Sequence, residues 1–157
     1  MIIDTKFLVR KYNMNPDDIC YIGANEGQEL PEMIQEFPDS KVHCFEPQRK
    51  PFEILIKNFK TNKNIYFYNF ALGQEDRKLK IFKNTNNKNM SSSILRPKEH
   101  KKYHPHILFE GEEIISQKRF SNLNLKNINY LNMDVQGYEL EVLKGFESLE
   151  AIKYIKT

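Results

Sequence analysis

Two glycines four residues apart, Gly23 and Gly27, follow directly on the apolar run Ile19-Cys20-Tyr21-Ile22. A strand that runs into a glycine turn and then a helix lets backbone approach a ligand closely and can aim free N–H groups at an anion. The spacing is G-x-x-x-G, not the G-x-G-x-x-G of dinucleotide sites, so phosphate binding loses ground while a ligand carboxylate could use the same turn. Glu46 closes the next apolar run, Val42-His43-Cys44-Phe45. An acid at that point can accept hydrogen bonds from both hydroxyls of a ribose, and a plain surface glutamate is the alternative. Asn69-Phe70-Ala71-Leu72-Gly73 follows a third apolar run, where a turn could offer backbone N–H to an adenine ring while Phe70 or Leu72 packs on its face. Asp134 ends a fourth run, Ile128 to Met133. A carboxylate there can hold an ammonium, orient a hydroxyl or remove its proton. It can equally cap the helix that follows.

These residues need elements to hold them. Leu30, Met33, Ile34 and Phe37 recur at i, i+3, i+4 and i+7, which predicts a helix after Gly27 that stops at Pro38. Phe52, Leu55, Ile56 and Phe59 repeat the pattern after Glu46, and Ile65-Tyr66-Phe67-Tyr68 reads as a third strand. The first 70 residues therefore read βαβαβ, preceded by a short helix over Thr5 to Tyr12. The strands are short apolar runs without strict alternation, as expected of a parallel sheet covered on both faces. Lys78 to Phe82 alternates like a half-exposed strand, and Lys83 to Asn89 reads as loop. Pro97 to His104 suggests a short helix, and Phe109 to Asn127 shows no more than one strand and a helical turn. Residues 83–127 are thus expected to form an irregular region over the site. After Asp134 a helix is expected to carry Leu140, Leu143 and Phe146, with Gly145 as its cap, and Ile152 to Ile155 opens another strand. The whole predicts one Rossmann-like α/β domain over residues 1–157, with 1–16 as an N-terminal extension and a mostly parallel sheet. In a doubly wound order the fourth strand lies beside the first, which would set Asp134 opposite Gly23.

Composition narrows the classes. The chain has 157 residues, 39% hydrophobic and 29% charged, the balance of a globular domain. A net charge of +3 does not call for nucleic acid; the Lys98-Glu99-His100-Lys101-Lys102 cluster reads as a solvated face. No apolar run approaches the roughly 20 residues of a membrane span, and the start lacks signal-peptide features, so a cytoplasmic protein is expected. Cys20 and Cys44 lie in apolar runs and read as buried free thiols.

Five blocks in order carry a resemblance. They are Gly23-Ala24-Asn25-Glu26-Gly27-Gln28, Phe45-Glu46-Pro47, Asn69-Phe70-Ala71-Leu72-Gly73, Ser91-Ser92-Ser93-Ile94-Leu95, and Met133-Asp134-Val135-Gln136-Gly137-Tyr138-Glu139-Leu140-Glu141-Val142-Leu143-Lys144-Gly145. Together they resemble the FkbM family of S-adenosylmethionine-dependent methyltransferases. The resemblance implies a class I methyltransferase fold and methyl transfer to a hydroxyl of a sugar, glycan or other small molecule. It implies Gly23, Asn25 and Gln28 around the methionine portion, Glu46 on the ribose, Asn69 and Ala71 near adenine, and Ser92 and Ser93 on a closing loop. Asp134 would stand near the transferring methyl. As general base Asp134 is the first candidate, and His104, with His100 and His106, the second. A divalent metal on Asp134 and Glu139 is chemically admissible, since oxygen ligands suit magnesium or calcium.

Two departures from the family pattern shape the expectations. Members commonly carry an acid or histidine just before the first glycine, where this chain has Tyr21-Ile22; the bond to the cofactor's amino group is then expected from Glu26 or Asp134. The family domain usually continues through a further helix and two strands, so the sheet is expected to be short at its C-terminal side. An uncovered edge there would favour self-association. A nicotinamide-dependent oxidoreductase and a cofactor-binding protein without turnover are the rival functions.

Overall fold

The computed structural model describes residues 5–84 and 109–157. Its main sheet has five strands, all parallel, in the order β3-β2-β1-β7-β8. These are β1 (Asp18–Ile22), β2 (Lys41–Phe45), β3 (Ile65–Tyr68), β7 (Ile128–Met133) and β8 (Tyr154–Lys156). Helices α1 (Thr5–Tyr12), α2 (Leu30–Glu36) and α3 (Arg49–Phe59) accompany the first half. The chain steps outward from β1 to β3 and then returns to lay β7 against the free side of β1. That reversal is the topological switch at which open α/β sheets form their clefts.

Each central strand is buried on both sides, which explains the uninterrupted apolar runs. On β1, Ile19 and Tyr21 join one core with Leu30, Met33, Phe37, Val42, Cys44, Leu55 and Tyr130. Cys20 and Ile22 point the other way, into a core with Phe45, Leu72, Leu131, Met133, Tyr138, Val142 and Phe146. The first core is capped by the apolar faces of α2 and α3 that the heptad-like spacing foretells. Both cysteines are free and buried, and burial pushes both thiols well up, so they pack as small hydrophobes.

A second sheet, β4-β6-β5, is built from β4 (Ala71–Leu72), β5 (Arg77–Asn84) and β6 (Phe109–Lys118), the last two antiparallel. Between Phe109 and Asn127 the structure holds the one strand and the helical turn that the sequence suggests, the strand running ten residues. Period-2 burial is present on β6, where Ile115 and Gln117 are buried while Ile114 and Ser116 are exposed. It is hidden in the sequence because an inward residue is polar: Gln117 is 2% exposed, donates to the Glu75 carbonyl at 2.8 Å and accepts from the Tyr138 hydroxyl at 2.9 Å. A 3-10 turn over Phe120–Leu123 leads into β7, and Phe120 stacks on Phe146 at 4.0 Å.

The last helix, α4 (Glu139–Leu143), is shorter than expected. Leu140 is 63% exposed, whereas Val142 and Phe146 are buried. Gly145 does not serve as a left-handed cap. A Cβ there would stand 2.3 Å from the Gly73 carbonyl oxygen, so glycine is required for the close approach of the turn after β4.

Candidate functional site

At the carboxyl ends of β1, β2 and β7 the structure opens a cleft of about 890 Å³, including its open mouth. The loop after β1 forms its floor. Gly23 adopts φ +79°, and a Cβ on it would come within 2.1 Å of the Asp134 carbonyl oxygen. Only glycine permits both the conformation and the contact. Asp134 N–H in turn donates to the Ile22 carbonyl at 3.0 Å, so the ends of β1 and β7 meet backbone to backbone.

The loop's N–H groups are used differently from the sequence reading. Gly23 and Ala24 both donate to the Phe45 carbonyl at 3.0 Å, Gly27 donates to Ala24, and Asn25 donates to the Glu46 carboxylate at 2.9 Å. These donors fasten the loop to the end of β2, and α2 begins only at Leu30. The turn is therefore not a bare anion cradle.

Glu46 is the centre of the site. It is 4% exposed, with Oε2 accepting the Asn25 N–H and Oε1 the Gln48 N–H at 2.8 Å. The Gln48 side chain also bonds this carboxylate, and the lone-pair capacity left over is open to a ligand donor. Burial pushes its carboxyl up to about 7; the N–H donors of Gln48 and Asn25 pull the other way, and Glu113 on β6 adds to the rise. Gln48, 5% exposed, lies in the same wall.

The sequence-derived candidates divide. Gly23, Asn25, Gln28, Glu46, Ala71 and Asp134 line the cleft together, with Phe45, Leu72, Ile81 and Val135 as apolar wall. Glu26 is not among the lining residues; Glu29, one helical step further along the loop, is. Asn69 is exposed and its amide donates to the carbonyls of Glu46 at 2.9 Å and Pro47 at 3.2 Å. It braces the acid's backbone rather than facing the cleft. Ser92, Ser93 and His104, with His100 and His106, lie outside the described residues. Gln48, Glu29, Ile81 and Tyr138 line the cleft and were not read from the sequence.

Asp134 stands exposed at the mouth, its Oδ1 accepting from Gln136 Nε2 at 2.5 Å. Partial burial raises its carboxyl above the usual range, and Glu29 and Glu139 add to the rise against Gln136 and Lys156. It does not cap α4. The N-cap position belongs to Tyr138, which makes no side-chain cap bond, while Glu139 braces the turn before the helix by accepting the Val135 and Gly137 N–H groups at 3.3 Å each. That leaves Asp134 for other work and engages the second carboxylate of the suggested metal pair. No group of three or more His, Cys, Asp or Glu arranged to hold a metal occurs among the described residues.

Residues 22–156 match the Methyltransferase FkbM domain. The chain belongs to the FkbM methyltransferase family. Two curated relatives resemble it: "2-O-methyltransferase NoeI" of Sinorhizobium fredii, 25% identical over 90% of this chain and 63% of its own length, and "Methyltransferase 1" of Beauveria bassiana, 28% identical over 84% and 60%. The FkbM chain thus spans somewhat over half the length of these relatives. A crystal structure of methyltransferase FkbM from Methylobacillus flagellatus KT superposes with a TM-score of 0.54 at 16% identity, covering 83% of this chain and 28% of that one. It shares the Rossmann-like fold of the FkbM chain. Among the described residues no helix is long and apolar enough to cross a membrane.

Proposed function

We propose that this chain binds S-adenosylmethionine in the cleft and transfers its methyl group to an oxygen of a sugar or other small-molecule hydroxyl. The observation that carries the reading is the charge of the lining. Among the described residues the cleft wall holds three carboxylates, Glu29, Glu46 and Asp134, and no lysine, arginine or histidine. Such a wall suits a nucleoside with hydroxyl and cationic groups and repels the pyrophosphate of a nicotinamide dinucleotide. The donor set fits the cofactor: Glu46 offers two acceptor oxygens to a ribose, and Phe45, Leu72 and Ile81 offer apolar surface to a purine.

When bound, S-adenosylmethionine supplies an activated methyl group on a sulfonium. The chain's own residues do the rest. Glu46 fixes the ribose, the loop after β1 fixes the amino-acid end, and Asp134 stands at the mouth, where an acceptor hydroxyl would enter. Asp134 accepts the hydroxyl proton as the oxygen attacks, and alignment of the two reactants lowers the barrier. Its raised carboxyl makes it a better base than an ordinary aspartate. Oxygen as the acceptor atom draws support from the printed name of the Sinorhizobium relative.

Calorimetric titration with S-adenosylhomocysteine and, separately, NADH tests the cofactor. Binding of the first and not the second is expected; the reverse sinks the reading. Methyl transfer from labelled S-adenosylmethionine to a panel of hydroxylated sugars tests the reaction, and binding without transfer to any of them would favour the non-catalytic alternative.

A further inference from the structure

Glu29 is held in a way its place in a surface loop does not require. Its Oε2 accepts Asn132 Nδ2 at 3.0 Å and Lys156 Nζ at 2.5 Å. Its backbone N–H bonds the phenol oxygen of Tyr21. One loop residue is thus gripped from β1, β7 and β8 at once. Both side-chain bonds fall on Oε2, and Oε1 has no hydrogen-bond partner among the described residues. The carboxylate lines the cleft with 34% of its side-chain surface open, and Asp134 lies close enough for the two charges to interact. Tyr21, beneath it, is 3% exposed and kept neutral by that burial, so it offers no charge of its own.

A preset carboxylate with one oxygen free, beside a second acid, is a receptor for a cation with several N–H donors. The cofactor proposed above carries one such group outside its sulfonium, the α-ammonium of its methionine portion. We propose that Glu29 Oε1 binds this ammonium, with Asn132 and Lys156 as positioning residues that hold the carboxylate toward it. The inference rests on the cofactor reading and assigns the ammonium to Glu29 in place of Glu26 or Asp134. A loop tether alone would also explain the bonds to Oε2, and the two accounts separate by which part of the ligand feels the change.

The experiment compares three probes by calorimetry: S-adenosylhomocysteine, its analogue lacking the α-amino group, and methylthioadenosine, which lacks the amino-acid portion. The wild type is expected to bind the first about tenfold to hundredfold more tightly than the des-amino analogue, the range of a charge-assisted hydrogen bond. Glu29→Gln, which keeps an oxygen for Asn132 and Lys156, should shrink that ratio to about threefold or less and leave methylthioadenosine affinity unchanged. Asp134→Asn, which removes only the neighbouring charge, should keep most of the ratio, at about tenfold or more. Equal weakening of all three probes by Glu29→Gln, or loss of the ratio in Asp134→Asn, overturns the assignment. The wild-type ratio needs no variant to fold, and a ratio near one also overturns it. Methylthioadenosine binding with no amino-group effect sinks this inference alone; failure of all three probes sinks the cofactor reading with it.

Discussion

Replacing Glu46 with glutamine tests the site where burial and function meet. The native carboxyl is raised from 4.5 in the open chain to about 7 in the fold, chiefly by burial. Between those two values the folded protein therefore holds a proton that the unfolded chain has released. Stability should fall as pH rises through that window, by an amount on the order of 3 kcal/mol, and level off above 7. Ligand binding should run the opposite way. In the proposed binding mode a ribose diol donates to the ionised carboxylate, so S-adenosylhomocysteine competes with the proton. Affinity should be flat above pH 7 and drop about tenfold at pH 6 and about a hundredfold at pH 5. In Glu46→Gln both trends should vanish. At pH 8 the variant should also bind more weakly, because one amide cannot accept N–H from both Asn25 and Gln48 while offering oxygens to a diol. Calorimetric titrations and urea unfolding of both proteins across pH 5 to 8.5 make the comparison. His43 contributes a stability slope of the opposite sign, since burial lowers its imidazole. That slope is common to both proteins and cancels in their difference. Wild-type affinity that is constant from pH 5 to 8.5, or the same slope in the glutamine variant, would refute the account.

Other outcomes follow from single contacts. Tyr130→Phe should leave stability unchanged or raise it by about 1 kcal/mol in urea unfolding, because the native hydroxyl is buried with no hydrogen-bond partner among the described residues. Gly23→Ala should cost at least about 2 kcal/mol and abolish S-adenosylhomocysteine binding, since the new methyl meets the Asp134 carbonyl at a left-handed φ. Asp134→Asn should lower methyl transfer about a hundredfold while S-adenosylhomocysteine affinity shifts by less than about threefold, and a turnover rate equal to wild type would remove Asp134 from the chemistry.

The strands that carry the site were legible because burial on both faces leaves short apolar runs, each ending abruptly in Gly23, Glu46 or Asp134. The loop after β1 was legible in outline only. Its glycines announce a turn, but which glutamate enters the cleft depends on positive φ at Asn25 and Gly27, and Glu26 and Glu29 are alike on paper. Gln48 was missed because an exposed-looking amide before a helix carries no periodic signal, although it is buried against Glu46. The β6 strand was blurred by Gln117, a polar residue facing inward to satisfy Tyr138 and the Glu75 carbonyl. Gly145 was read as a cap because the sequence cannot show that the Gly73 carbonyl occupies the space where its side chain would be.

The meeting of Gly23 with the Asp134 carbonyl has a consequence for how such a protein can diversify. The contact joins main chain to main chain, so the spacing between the loop and the Asp134 backbone does not depend on any side chain. Residues around the mouth can be exchanged for others, changing which acceptor fits, while that spacing is inherited intact. The cleft is in this sense a fixed jaw with replaceable teeth, whose lining side chains can change while the backbone that frames them stays in place.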